Sequence, residues 1–413
     1  MKSFPLILVL LIYILGFLPD FFSFIPNMPD FIVGGFPVGM GLLAADLIYL
    51  IMTISVFYRV FHEHGIKKDL GLRNVLLIFS AFILFEILRN VNEYGLSAPG
   101  EFRFYYFYLI IPAYIAIYFD NAVDRKKLAK LLIGISIFIP ILSVPIIGMY
   151  KGWSFGSEDR FLNSATYLGI AYGYTLLLLS CKYKIMQVSK RSLILLALLL
   201  IFMTLIDGHR SAWLAILVII VSLIYLKEIS RKYLTVIIII GFIGLIITAL
   251  VVKNYGMDLR AYLATRSIAF FNPEMDDTSA WRILQWQAQI EKIINSPLLG
   301  EGFGGFFRVY IPGLGESSVS PHSYYVQSLV KLGIVGLLLY LLIVKKILSK
   351  ILLWLKHQKG NPEYPLVLIG IPVLIAAHFY YFVYSLEFMT MFFVGLSLAV
   401  VQHSPDAESQ IKI

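Results

Sequence analysis

What most constrains this chain is a succession of apolar runs, each near the length of one helical bilayer crossing. They fall at about 4–19, 38–60, 74–89, 105–120, 131–149, 164–181, 192–206, 211–226, 234–252, 323–344, 365–384 and 386–402. A hydrocarbon core of ~30 Å takes about 20 helical residues per span. Composition agrees: 59% of the 413 residues are hydrophobic and 14% charged, against roughly 25% charged in soluble domains. A water-soluble enzyme and a disordered chain are both excluded. The expected fold is an all-α polytopic membrane protein with about twelve transmembrane helices.

The net charge of +9 is not a nucleic-acid footprint, because Lys and Arg in a membrane protein gather in cytoplasmic loops. With both termini inside, the inner segments hold 22 of the 34 Lys and Arg, among them Arg125, Lys126, Lys127 and Lys130, and Lys345, Lys346 and Lys350. The other twelve include Arg89, Arg160, Arg210, Arg282 and Lys331, and these outer cations need a reason. The single cysteine, Cys181, excludes an internal disulfide and a cysteine metal cluster. Pro19-Asp20 follows the first apolar run where a signal peptide would show small residues, so that run reads as an uncleaved crossing.

The predicted organisation is 1–252 with nine crossings, 253–321 as one large external loop, 323–402 with three more crossings, and 403–413 as a cytoplasmic tail. Loops as long as 253–321 are uncommon without a role. Within it, Ser279 to Ser296 reads as an amphipathic helix. Ile283, Trp286, Ile290 and Ile293 mark one face; Arg282, Gln285, Gln289 and Lys292 mark the other. Such a helix suits the membrane surface. The following stretch carries four glycines within six residues, Gly300, Gly302, Gly304 and Gly305. A turn of this kind lets backbone approach a ligand closely, although the Lys and Ser of a nucleotide loop are missing.

Candidate chemistry collects on the outer side. Arg210 starts a crossing just after Gly208 and either snorkels to headgroups or faces an anion. Ser320-Pro321 reads as a helix cap and first helical residue, which puts His322 in the first turn and Ser323 beside it, at an anion-favouring end. His322 can also exchange a proton near neutral pH. Arg160 follows Glu158-Asp159, and a local ion pair is its plain reading. Arg282 lies on the polar face of the loop helix, where a planar guanidinium suits phosphate. Within crossings, Glu86 and Arg89 are spaced to pair, while Asp46 has no partner nearby in sequence. No metal site is expected.

These residues resemble a known family. Arg210-x3-Leu214 and His322-Ser323-x9-Gly333-x2-Gly336 are similar to paired signatures of bacterial O-antigen ligases. Trp281-Arg282 through Pro297, then Gly300-Glu301-Gly302-Phe303-Gly304, resembles the large periplasmic loop of the O-antigen ligase and polymerase superfamily, and Glu158-Asp159-Arg160 resembles a further basic motif. The resemblance covers about 150–340. It implies a GT-C-like inner-membrane glycosyltransferase working on the periplasmic face without metal, cofactor or nucleotide. Its donor would be a glycan on undecaprenyl diphosphate and its acceptor either lipid A-core (a ligase) or another lipid-linked glycan (a repeat-unit polymerase). Arg160, Arg210, Arg282, His322 and Ser323 would hold the diphosphate, with Arg210, Arg282 and His322 catalytic and Gly302 and Gly304 supporting the loop. Leu337-Leu338 stand where ligases often carry two threonines, so ligase and polymerase both remain open. A transporter or lipid flippase is the reading from another class; it predicts internal repeats and polar, broken helices near the midplane.

Overall fold

A computed structural model describes residues 4–15, 37–39, 42–62, 70–95, 97–151, 164–207, 210–229, 277–305, 307, 309–311, 315–317, 321–382 and 387–404, with isolated helical positions between 235 and 250. The elements are α1 (Phe4–Leu15), β1 (Pro37–Gly39), β2 (Leu42–Leu43), α2 (Ala44–His62), α3 (Leu70–Tyr94), α4 (Ser97–Tyr118), α5 (Ala122–Lys151), α6 (Ser164–Lys182), α7 (Lys190–Asp207) and α8 (Arg210–Tyr225). After these come α9 (Asp277–Asn295), β3 (Val309–Ile311), β4 (Gly315–Ser317), α10 (Tyr324–His357), α11 (Tyr364–Leu368), α12 (Gly370–Tyr380) and α13 (Met389–Gln402). The strands form two small antiparallel pairs, β1–β2 and β3–β4. Everything else that is regular is helical, as the apolar runs predict.

The centre of the bundle is α13. Every residue from Met389 to Val401 is buried, and a helix apolar on all sides has to be surrounded. It packs against α4, α5, α6, α10, α11 and α12. Gly395 makes the α4 contact possible, since a Cβ there would lie 2.9 Å from the Cα of Pro112. The outer helices do the opposite and turn large apolar side chains outward: Ile54, Tyr58 and Phe61 on α2, and Ile78, Leu84, Phe85 and Leu88 on α3. A soluble protein seldom shows so extensive an apolar exterior; against hydrocarbon it costs nothing. Among the described residues, two helices, over Arg73–Tyr94 and Tyr324–His357, are long and apolar enough to span a bilayer.

Polar locks mark one end of the bundle. Arg125 grips Glu363 through two hydrogen bonds of 2.7 Å, a bidentate pair that ties the start of α5 to the turn before α11. At the same end, His403 bonds the Ala116 carbonyl at 2.9 Å and Arg59 donates to the Ile117 carbonyl at 3.1 Å. Tyr183, after α6, meets Glu228, after α8, through its hydroxyl at 3.0 Å, and its ring lies 5.2 Å from that of Tyr364. The candidate site is at the opposite end.

Candidate active site

The glycine-rich turn has a structural task that sequence does not announce. α10 is broken at Gly333, with φ 60° and ψ −167°, a conformation essentially restricted to glycine. Breaking a helix orphans backbone groups on both sides of the gap. Here the turn after α9 supplies their partners. Glu301 and Gly302 donate their amides to the carbonyls of Val330 (2.7 Å) and Lys331 (3.0 Å), while the amides of Ile334 and Val335 donate to the carbonyls of Pro297 (2.9 Å) and Leu298 (3.1 Å). The loop is spliced into the helix. Two glycines permit that proximity: a Cβ on Gly333 would stand 2.3 Å from the Leu298 carbonyl oxygen, and one on Gly300 would stand 2.6 Å from the Lys331 carbonyl carbon.

Side chains of α3 and α4 clamp the turn from the other side. Arg89 pairs with Glu86 at 2.7 Å, the expected ion pair, and also donates to the Gly300 carbonyl at 2.8 Å. Asn90 donates to the carbonyls of Glu301 (2.6 Å) and Phe303 (3.2 Å). Glu101 accepts from the Gly304 amide at 2.6 Å and forms an ion pair with the Lys331 ammonium at 3.0 Å. Lys331 is fully enclosed, so Glu101 neutralises it where no water can. Lys292 of α9 closes the set on Glu301 at 2.8 Å. Gly302 and Gly304 are the points of closest packing. Added Cβ atoms would lie 2.2 Å from the Asn90 side-chain nitrogen and 2.4 Å from the Tyr94 Cβ.

The helix start differs from the expectation. α10 begins at Tyr324, with Ser323 in extended conformation at the cap position. His322 lies before the cap with φ 47°, not in the first turn, and Ser320 falls outside the described residues. The reason is tertiary. The Tyr324 amide is taken by the Tyr381 carbonyl at 3.0 Å, and the Pro321 carbonyl accepts from the Trp286 indole at 2.6 Å. With those two bonds anchoring α12 and α9, the chain turns through a left-handed residue and starts its helix late. The Tyr324 amide at the helix start is thus already engaged.

α9 is also oriented opposite to a simple surface helix. Gln285 and Gln289 are fully buried, whereas Leu284, Ile290 and Ile294 are exposed. The polar face is the inner one because it has backbone to satisfy: Gln289 donates to the Phe307 carbonyl at 3.1 Å, and Lys292 holds Glu301. Of the apolar residues, Leu284, Ile290 and Ile294 are left outside, while Ile283, Trp286 and Ile293 are half-buried. Pro297, just past Asn295, prevents continuation of the helix.

Among the predicted site residues, the His322 ring stands 5.7 Å from that of Trp281 in an edge-on contact, which brings His322 beside the residue preceding Arg282. Ser323 is buried beneath. Arg210 is the first residue of α8. The far end of α8 leads to Glu228, close to Tyr183 and thus to Tyr364 at the start of α11. α8 packs against α12, so Arg210 begins α8 at the end where Tyr381 receives the Tyr324 amide. Arg160 lies outside the described residues. Asp46 is buried in the first turn of α2. Among the described residues no cluster of His, Cys, Asp or Glu could hold a metal ion.

Lys331, Glu101 and Asn90 were missed as members of this site. The signal was there: a lysine inside an apolar run requires a buried counter-charge, and Glu101 stands four residues before the 105–120 run. Which carboxylate would answer which lysine is a matter of packing.

Residues 195–341 match a family model described as O-antigen ligase. An uncharacterised protein of Haemophilus influenzae (strain Rd KW20) is 24% identical over 378 residues, covering 81% of this chain and 93% of the relative.

Proposed function

We propose, for a chain that residues 195–341 place in the O-antigen ligase and polymerase superfamily, that it transfers a glycan from an undecaprenyl-diphosphate carrier to an acceptor hydroxyl at the periplasmic face of the inner membrane. The family carries glycosyltransferase-like activity in a membrane protein. The finer reading, an O-antigen ligase acting on lipid A-core with twelve crossings and both termini inside, is ours. The observation that supports it is the packing of His322 against Trp281, next to Arg282, at the end of the bundle where Arg210 begins its helix.

The chemistry follows from the leaving group. When the bond between the anomeric carbon and the carrier phosphate breaks, negative charge develops on the diphosphate. Cations fixed beforehand stabilise that charge most, and guanidinium forks match phosphate oxygens. Arg210 and Arg282, supported by Arg160 and Ser323, take this role. His322 orients the acceptor hydroxyl and accepts its proton as the new glycosidic bond forms. Direct displacement inverts the anomeric centre, and positive side chains supply the charge a metal would otherwise bring.

Transfer measured with purified lipid-linked glycan, with and without lipid A-core, tests the proposal. Product only with the core identifies a ligase; a ladder of longer lipid-linked chains without it identifies a polymerase. Arg210→Ala, Arg282→Ala and His322→Ala should each lower transfer on the order of a hundredfold to a thousandfold. Near-normal turnover in all three, from protein that elutes as wild type, rejects the assignment. Movement of the lipid-linked glycan across vesicles without transfer would favour a flippase.

A further inference from the structure

Among the described residues, three that are not glycine adopt positive φ: Lys184 and Lys227 at 59°, and His322 at 47°. The two lysines lie just past the ends of α6 and α8, where a left-handed residue is a common helix stop. His322 has no such reason, because it precedes a helix. The conformation is unfavourable for an L-residue, whose Cβ crowds the following carbonyl. It persists only where the surroundings impose it.

The surroundings act from both sides of His322. After it, the Tyr324 amide is held by the Tyr381 carbonyl. The buried Tyr324 ring is packed among those of Tyr105, Tyr340 and Tyr381, at 5.9, 4.8 and 5.6 Å between centroids. Before it, the carbonyl of the buried Pro321 accepts from the Trp286 indole nitrogen at 2.6 Å. Trp286 stands one turn along α9 from Arg282, about 6 Å of rise. The spacing of Arg282, Gln285, Trp286 and Gln289 places them on one helix face, and that face is the inward one, since Gln285 and Gln289 are buried. At the same place the Trp281 ring meets that of His322. The indole N–H thus joins the helix that carries Arg282 to the backbone next to His322.

We propose that Trp286 is a positioning residue for glycan transfer: by holding the Pro321 carbonyl, its indole N–H fixes His322 in the left-handed conformation and sets its place relative to Arg282. This rests on the roles given to His322 and Arg282 in the glycan-transfer reading. Trp286 itself need touch neither sugar nor diphosphate. A tryptophan that only filled space would matter equally whether or not His322 were present. One that positions His322 has an effect that exists only while the imidazole does, and a double-mutant cycle separates the two roles.

The cycle is measured on transfer by the purified full chain with lipid-linked glycan. Trp286→Phe keeps an aromatic ring and removes the donor. Its kcat should fall by on the order of tenfold to a hundredfold, with KM for the lipid-linked glycan nearly unchanged. In a His322→Ala background the same change should cost less than about twofold, because nothing is left to position. Trp354→Phe is an equal truncation near the other end of α10, where the indole N–H meets no acceptor among the described residues; it should leave kcat nearly unchanged. Wild-type kcat in Trp286→Phe, an equal loss with and without His322, or an equal loss in Trp354→Phe would overturn the proposal. Should Trp286→Phe not elute as wild type, 3-benzothienylalanine at position 286, which carries sulfur in place of the N–H, takes its place in the cycle. Thermal melts keep this inference apart from the reading beneath it. His322→Gly should melt above His322→Ala, because glycine accepts a φ of 47° without strain, and Trp286→Phe should abolish that advantage. Normal transfer by His322→Ala would sink the glycan-transfer assignment instead, leaving the melts to decide the Trp286 contact. No advantage of glycine over alanine, or one that survives Trp286→Phe, overturns it.

Discussion

Gly333 shows how one residue can carry a whole junction. Its backbone conformation excludes a side chain, and the space a methyl would need is filled by the Leu298 carbonyl. Gly333→Ala should therefore cost about 3 kcal/mol or more, combining a strained backbone with displacement of the spliced loop. Gly360→Ala is the control, because nothing lies within 4 Å of its Cβ position, and its melting temperature in detergent should match the wild type. Lys331 supports a second prediction at the same scale. With both side chains enclosed, Glu101→Gln leaves the ammonium without its counter-charge and should lose about 3–5 kcal/mol. Adding Lys331→Met to Glu101→Gln should recover much of that loss, since a neutral pair of similar size needs no charge compensation. Thermal melts of the two variants separate the cases: no recovery in the double variant would mean that the ion pair is not what Glu101 contributes.

Among elements, α9 shows where periodicity informs and where it misleads. The pattern of Ile283, Trp286, Ile290 and Ile293 foretold a helix at Ser279–Ser296, and α9 occupies Asp277–Asn295. Its orientation was not legible, because an amphipathic pattern says that two faces differ and not which neighbour each one meets. Gln289 bonds a carbonyl in the loop, and that partner is unknowable until the loop is placed. Ser320-Pro321 misled for a related reason: it is a sound local start signal, yet two long-range bonds, to Tyr381 and from Trp286, delay α10 to Tyr324. The glycine run, by contrast, was legible as a place of close backbone approach; the ligand it approaches is the chain's own broken helix. From these contacts, Gln289→Leu should destabilise by about 1–3 kcal/mol, as it strands the buried Phe307 carbonyl. Ile294→Gln, on the exposed face, should leave melting in detergent within about 0.5 kcal/mol of wild type. A larger effect at Ile294 than at Gln289 would reverse the orientation of the helix.

At the scale of the whole molecule, sidedness is the property on which the functional reading turns, and it can be read chemically. α10 covers about 51 Å at 1.5 Å per residue, and its portion after the Gly333 break, from Ile334 to His357, still covers about 36 Å. That is sufficient to cross a hydrocarbon core. One end of α10 adjoins His322 and α9; the other, with Lys345, Lys346, Lys350 and Lys356, carries the charge that cytoplasmic segments favour. Because Cys181 is the only cysteine, a Cys181→Ser background lets single probes report position. Tyr310→Cys, at an exposed position of β3, should react with a membrane-impermeant maleimide in intact spheroplasts. His357→Cys, at the end of α10, should react only after the membrane is opened. Reaction of His357→Cys first would invert the protein, setting the glycine turn and His322 on the cytoplasmic side, where the proposed periplasmic transfer has no acceptor. Equal reaction of both positions in intact spheroplasts would put both ends of α10 outside and remove it as a crossing.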